Sequence, residues 1–188
     1  LINQQLSAMV PAKKNHLKRY PFIFLIDISG STGAGTDPDI NHINRAIADL
    51  IDQLRNPAPS SPIASTVDQI DICIITYSNT PTVEVPWSTA PALPASIPPF
   101  VADGRTNTAL ALQTAIAQIG ERLTYYKDPT NNISSAMPHI IHLSDGYPTD
   151  MQPGDPTWTA LQDLLSNIDG NKNVEKKYAN ILHFVAPN

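Results

Sequence analysis

Apolar residues in this chain occur in two patterns, as short continuous runs and as positions repeated every three or four residues. The run from Phe22 to Ile26 is continuous and ends directly before Asp27. Such a run predicts a central strand that is buried on both faces of a sheet. Comparable patterns predict further strands near 69–77 and 82–85, one ending at Leu143, and a last one near 179–185.

Apolar residues at helical spacing predict helices between these strands. Asp37-Pro38 indicates the start of the first helix, with the aspartate as N-cap and the proline at the first helical position. A second helix is predicted from Thr106 and a third near 157–167. The predicted apolar positions of the first two helices are Ile40, Ile43, Ile47, Leu50, Ile51 and Leu54, and Leu110, Leu112, Ile116, Ile119 and Leu123.

Strands that alternate with helices predict an α/β fold with a doubly wound, mostly parallel sheet and helices on both faces. The strand near 82–85 is expected to pair antiparallel with the strand before it, as an edge hairpin. The prolines from Pro86 to Pro99 then leave room only for a connector. A length of 188 residues fits one domain, which we place at 20–188 after an N-terminal leader segment at 1–19.

Composition narrows the possible partners and compartments. A net charge of −5 argues against nucleic acid as a partner, because phosphate binding needs a basic face. The single cysteine, Cys73, lies in an apolar strand pattern, so we expect a buried thiol and no internal disulfide, which suits a reducing compartment. No apolar run reaches the roughly 20 residues of a membrane helix. No signal-peptide pattern is present, although a chain that begins at Leu1 leaves a removed leader possible.

Candidate chemistry begins where the first strand ends. Asp27, Ser29 and Ser31 alternate there and present a carboxylate and two hydroxyls, which are hard ligands that suit Mg²⁺ or Mn²⁺ better than zinc or copper. Open α/β sheets place their binding sites at the carboxyl edge of the strands. The alternative is that these residues only cap the following helix and loop.

Two distant segments repeat this arrangement. Thr106 stands at the predicted start of the second helix, either as an ordinary N-cap or with its hydroxyl turned toward a metal. Asp145 follows the strand that ends at Leu143 and is followed by Gly146, a pair that by itself indicates only a turn. Together the three segments supply oxygen ligands from three loops of one α/β chain.

With these motifs the chain resembles a von Willebrand factor A (vWA) domain with an intact metal-ion-dependent adhesion site. The resemblance runs from about Tyr20 to the end of the chain and implies a Rossmann-like vWA fold. It implies that a Mg²⁺ is held directly or through water, and that one coordination position stays open for an acidic side chain of a partner. The implied metal ligands are Asp27, Ser29, Ser31, Thr106 and Asp145.

The stretch from Leu143 to Asp150 is most similar to bacterial vWA proteins of the tellurite-resistance and stress-response type. The family also adds a last strand and a C-terminal helix after the strand near 179–185, so we expect the segment 20–188 to lack them.

Other chemistry fits the residues less well. The glycines from Gly30 to Gly35 follow a strand, but a dinucleotide site needs glycine where Asp27 and the serines stand. An aspartyl phosphatase would need a second carboxylate at the position of Ser29. For a metal-dependent hydrolase, His42 and His142 are the candidate bases, and for each a surface or packed histidine is the simpler interpretation.

The resulting hypothesis is a non-catalytic, Mg²⁺-dependent interaction module that binds a Glu or Asp of a protein partner, without nucleic acid or membrane insertion. We expect it in a cytoplasmic bacterial stress-response assembly. The alternative is an extracellular or virion-like surface adhesion domain, which the charged fraction of 15% would suit. The expected partner-contacting rim consists of Asp37, Asp39, His42, Tyr147, Thr149 and Asp150, with Tyr147 as the expected anchor.

Overall fold

A computed structural model describes residues 17–167 and 180–185. Strands and helices alternate along it, as the apolar patterns predict. The strands are β1 (Leu17–Asp27), β2 (Ile70–Tyr77), β3 (Pro81–Thr89), β4 (Ile133–Ser135), β5 (His139–Ser144) and β6 (Asn180–Val185). The helices are α1 (Asp39–Arg55), α2 (Thr108–Lys127) and α3 (Pro156–Asn167), with short 3-10 turns at Gly30–Gly33, Val67–Gln69 and Ala90–Ala92.

The strands form one open sheet in the order β3-β2-β1-β5-β6, and short β4 pairs with the start of β1. All pairs are parallel except β2 with β3, so the predicted antiparallel edge hairpin is confirmed. The chain leaves β1 toward β2 on one side and later returns to β5 on the other. The carboxyl ends of β1 and β5 therefore flank the position where strand order reverses, which is where open α/β sheets bind their ligands.

Helices cover both faces of this sheet. Alternate side chains of β1 and β2, including Ile23, Leu25 and Ile75, pack with α2 and with Leu161 of α3. The opposite face packs Ile72 and Ile74 against α1. Cys73 is fully buried in the first of these clusters, as its strand pattern predicts.

Several predicted boundaries are wrong. β1 begins at Leu17, so Lys18 and Arg19 belong to the sheet rather than to a leader; residues 1–16 of that predicted leader lie outside the described residues. β3 continues through Pro86 to Thr89, which the prolines had assigned to the connector, because an edge strand tolerates a missing backbone N–H.

Three predictions about helices also need correction. α2 begins at Thr108, two residues after Thr106. Leu110, predicted as a core position of that helix, is 40% exposed. Asp37 does not cap α1, because Pro38 occupies the N-cap position and the Asp37 carboxylate contacts His42 instead. Position 179, where the last strand was expected to begin, lies outside the described residues.

Candidate metal centre

Three loops meet at the carboxyl edge of the sheet, and backbone hydrogen bonds join them. The loop before α2 is held against the loop after β1, because Asp103 N donates to Ile28 O at 2.9 Å and Gly30 N donates to Gly104 O at 3.0 Å. The loop after β5 is held against the same segment, since Thr149 N donates to Thr106 O at 2.8 Å. The ends of β1 and β5 are adjacent because these strands pair in register.

Four of the five residues implied as metal ligands are linked by hydrogen bonds at this edge. The hydroxyls of Ser29 and Ser31 lie 3.1 Å apart, and Ser31 Oγ donates to Asp145 Oδ1 at 3.1 Å. Asp27 Oδ1 accepts a hydrogen bond from Ser29 N at 2.8 Å. Thr106 joins the set through its backbone contact with the loop that carries Asp145, and its side chain is largely buried.

Negative charge in this set is left without a basic partner among the described residues. Asp27 is fully buried, and its carboxylate accepts hydrogen bonds from the neutral donors Ser29 N and Ser144 Oγ, with the neutral Tyr77 hydroxyl also interacting with it. Burial raises the pKa of the Asp145 carboxyl, the charges of Asp27 and Asp39 raise it further, and the Ser31 hydrogen bond opposes them. Burial and the two neighbouring carboxylates therefore disfavour a second negative charge at Asp145 unless a cation accompanies it.

The donor set fits a hard divalent cation. It offers two carboxylates and three hydroxyls, and Mg²⁺ or Mn²⁺ accepts such oxygens while retaining bound water. Zinc sites are built mainly from thiolate and imidazole ligands, whereas the donors here are oxygens. In the part of the chain that the structure describes, no group of three or more His, Cys, Asp or Glu side chains gathers. The residues present therefore fit the metal that the motif resemblance implies.

The predicted rim residues differ in the contacts that the structure gives them. Asp37 and His42 form an exposed pair with Oδ2 to Nε2 at 2.9 Å, and His42 Nδ1 lies 2.9 Å from an Arg45 nitrogen. Asp39 is close enough to Asp145 to raise its pKa. The Tyr147 side chain is 93% exposed.

Thr149 and Asp150 have structural contacts of their own. Thr149 Oγ1 donates to Asn107 Oδ1 at 3.0 Å. The Asp150 carboxylate accepts hydrogen bonds from Ala109 N and Leu110 N, both at 3.0 Å, and so caps the start of α2. Asp150 was predicted as part of the partner-contacting rim; that prediction stays untested, and the structure adds this capping role. The physical reason is that α2 has no side-chain cap of its own at Asn107.

Sequence reasoning missed two further residues, Ser144 and Tyr77, which lie at the ends of the strands on either side of β1. Ser144 Oγ donates to Asp27 Oδ2 at 2.8 Å and orients the carboxylate from the neighbouring strand. The Tyr77 hydroxyl lies 2.7 Å from Nε2 of buried His142, and burial followed by the charge of Asp27 raises the Tyr77 pKa. In the sequence, only the polar residues Ser144, His142 and Tyr77 near the ends of apolar strands could have indicated these contacts.

The neighbouring turn after β2 holds the loop of Thr106 in place. Gly104 has a φ of 77° and approaches Asn79 so closely that an added Cβ would lie 2.6 Å from Asn79 Nδ2. Asn79 Oδ1 accepts a hydrogen bond from Arg105 N at 3.0 Å, and Asn79 O accepts one from Asn107 Nδ2 at 2.7 Å. Glycine at position 104 is therefore required both by the backbone angle and by this close approach.

Comparison with known families agrees with this architecture. The model of the von Willebrand factor type A domain matches residues 22–174. The chain belongs to this family. No sequence match was found among curated proteins.

Solved structures of other vWA proteins share the fold at low sequence identity. The ArnB paralog VWA2 from Sulfolobus acidocaldarius is 18% identical with a TM-score of 0.50, and the alignment covers 89% of this chain and 35% of that one. A von Willebrand factor type A protein from Catenulispora acidiphila is 18% identical with a TM-score of 0.50, over 80% of this chain and 32% of that one. This chain therefore spans about a third of the length of both proteins.

Among the described residues, no helix combines the length and the apolar character needed to cross a membrane.

Proposed function

We propose that this vWA domain is a non-catalytic protein-interaction module that depends on Mg²⁺ or Mn²⁺. The metal would be held by Asp27, Ser29, Ser31, Thr106 and Asp145, directly or through water. The observation that carries the proposal is the fully buried Asp27 carboxylate, which shares its edge of the sheet with Asp145 and has no basic side chain in contact with it among the described residues. When bound, the cation supplies positive charge and Lewis acidity at this edge.

A partner carboxylate is the ligand that this arrangement suits best. The protein contributes only two negative charges to a divalent ion, and serine and threonine hydroxyls are weaker ligands than carboxylates. A Glu or Asp of a partner can therefore compete with water for a remaining coordination position. The exposed side chains of Ser31 and Tyr147 leave this edge of the sheet open to solvent.

Binding rather than hydrolysis is supported by the position of the two candidate bases. His142 is 4% exposed and bonded to Tyr77, so its imidazole faces the interior. His42 is exposed, but one ring nitrogen contacts Asp37 and the other contacts Arg45. A general base must reach the proton that it removes, and neither ring is placed for this by its contacts.

The cellular setting is the finer part of the proposal. The similarity of the segment around Asp145 to tellurite-resistance and stress-response proteins favours a cytoplasmic bacterial assembly. The charged fraction of 15% favours the alternative, an adhesion domain at a cell or virion surface. Fractionation of cells that express the complete natural protein decides between them, because an adhesion domain would be recovered outside the cytoplasm.

Calorimetric titration with Mg²⁺ and Mn²⁺ tests the metal site. We expect binding to the natural chain, no measurable binding to Asp27→Ala, and unchanged binding to Asp49→Ala, which removes an exposed carboxylate from the middle of α1. Equal Mg²⁺ affinity of the natural chain and Asp27→Ala would refute the site. Hydrolysis of phosphate esters or nucleotides that requires Mg²⁺ and is lost in Asp145→Ala would refute the non-catalytic role.

A further inference from the structure

Three exposed apolar side chains lie on the segments that carry the metal ligands. Tyr147 is 93% exposed, Val101 is 76% exposed and Leu110 is 40% exposed. An aliphatic or aromatic side chain that contacts water this extensively gains free energy when a partner covers it. We call these three residues the apolar rim.

Hydrogen bonds and chain proximity place the segments that carry the apolar rim next to the loops of the proposed metal ligands. Tyr147 follows Asp145 by two residues, and Leu110 is attached to the same loop because its N–H donates to Asp150. Val101 belongs to the segment whose Asp103 N–H donates to Ile28 O, directly after β1. Adjacent Ala102 approaches Gly33 so closely that an added Cβ would lie 2.8 Å from its Cβ. Val101 therefore neighbours the loop after β1, and the other two residues neighbour the loop after β5.

The charges between these side chains restrict what can bind. On the loops of the ligand set and the start of α1, carboxylates outnumber basic side chains. The basic residues are Arg105, beside Thr106, and Arg45, which contacts the Asp37–His42 pair; the carboxylates outside the ligand set are Asp37, Asp39, Asp103 and Asp150. A partner with several acidic residues would be repelled by these aspartates, whereas a single carboxylate can bind at the metal. The partner residues next to this carboxylate should therefore be uncharged. Apolar residues are favoured there, because they would contact Tyr147, Leu110 and Val101.

We propose that the apolar rim selects an exposed loop of a partner protein in which one Glu or Asp is flanked by apolar side chains. This inference rests on the proposed metal-dependent binding and adds its specificity. Tyr147 is the main anchor, because a large aromatic side chain buries much area at low entropic cost and such residues dominate interfaces. Leu110 and Val101 contribute smaller contacts on the two neighbouring loops.

The test uses a phage-displayed peptide library with a fixed central glutamate and random flanking positions. Peptides are captured on the full chain in Mg²⁺ and eluted with EDTA. We expect the eluted pool to be enriched in aromatic and aliphatic residues next to the glutamate. For a synthetic peptide of the enriched sequence, Tyr147→Ser should weaken binding about tenfold, while its Mg²⁺ affinity stays unchanged.

Val83→Ser serves as the matched control. Val83 is also exposed and apolar, at 36%, but it lies on edge strand β3, which β2 separates from β1, and on no loop that carries a proposed ligand, so peptide binding should be unaffected. An EDTA-eluted pool without apolar preference, or equal loss of binding in Tyr147→Ser and Val83→Ser, overturns this inference and leaves the metal-dependent binding intact. A library from which EDTA elutes nothing above background overturns the metal-dependent binding itself.

Discussion

Two fully buried aspartates on adjacent strands differ in the side chains that contact their carboxylates. Asp71, at the start of β2, contacts the guanidinium of Arg122 with Nη2 to Oδ2 at 2.7 Å and that of Arg19 with Nη1 to Oδ1 at 3.4 Å. The Tyr126 hydroxyl also donates to Asp71. Asp27, at the end of β1, accepts hydrogen bonds from the neutral donors Ser29 N and Ser144 Oγ, and no salt bridge to it is found among the described residues.

The contrast is between a buried carboxylate that basic side chains compensate and one that they do not. Burying a carboxylate is costly unless a cation accompanies it, and at Asp71 the protein provides two. At Asp27 the described residues provide none, and Asp145 adds a second carboxylate nearby, whose pKa rises through burial and through the charge of Asp27. The buried carboxylate at the amino end of the sheet is thus compensated by the chain's own arginines, whereas at the carboxyl end the proposed metal ion would compensate it.

The largest expected effect is on the stability of the amino end. Asp71→Ala leaves Arg122 largely buried without its partner and should lower the free energy of unfolding by about 3–5 kcal/mol. Asp27→Asn in the absence of metal should cost far less, because it removes a charge that has no basic partner. Urea unfolding in EDTA measures both variants. A loss at Asp27→Asn equal to that at Asp71→Ala would contradict the comparison.

The next effect concerns stabilisation by metal at the carboxyl end. Mg²⁺ at 100 times its dissociation constant should raise the free energy of unfolding of the natural chain by about 2.7 kcal/mol, because it binds only the folded state. Asp27→Asn should lose this increment. Asp49→Ala, the control at an exposed position of α1, should keep it. Thermal unfolding with Mg²⁺ and with EDTA gives the values, and an increment that persists in Asp27→Asn would show that Mg²⁺ binds elsewhere.

A smaller effect is expected where a loop of the site caps a helix. Asp150→Ala removes the cap of α2 and should destabilise the fold by about 1 kcal/mol; it should also weaken Mg²⁺ binding, because Thr106 precedes that helix start.

Asp155→Ala is the matched variant for Asp150→Ala. Asp155 caps α3 through a hydrogen bond from Trp158 N at 2.6 Å. Asp155→Ala should therefore lower the stability by a similar amount and leave the Mg²⁺ affinity unchanged. Urea unfolding and calorimetry together measure both quantities. Equal Mg²⁺ affinities of the two variants would show that the cap does not position the site.

The smallest effect is a change in the reactivity of Cys73, which reports on the region of Asp71. Burial raises the pKa of this thiol to about 12, so the folded chain should react very slowly with a thiol reagent at pH 8.5. The unfolded thiol ionises near its ordinary pKa of 9.0. Stability from the neutral folded thiol is therefore present below pH 9 and declines as pH rises toward 12.

Comparison of variants turns this reactivity into a local measurement. Asp71→Ala should accelerate labelling of Cys73, which lies two residues away on β2, and metal-free Asp27→Asn should not. The initial labelling rate in dilute reagent gives the result. Acceleration of the same size in both variants would indicate that the two ends of the sheet open together.

Much of the fold could be predicted from local patterns. The continuous run that ends at Asp27 indicates a central buried strand, and β1 occupies that position in the sheet. The helical spacing between Ile40 and Leu54 likewise matches α1, where Ile47 and Ile51 are buried. The start of α2 was misplaced, because its N-terminal cap comes from Asp150, 41 residues away from Ala109.

In the candidate site, too, local features could be predicted from the sequence and contacts between distant residues could not. The sequence by itself determined the buried strand that ends at Asp27 and the placement of oxygen-bearing residues at the strand ends, because strand periodicity and turn chemistry act over a few residues. Only the tertiary structure decided which neutral and basic groups meet each buried aspartate. Ser144 reaches Asp27 across 117 residues, and Arg122 reaches Asp71 across 51. Such partners depend on which strands become neighbours in the sheet, and no local pattern of the chain records that order.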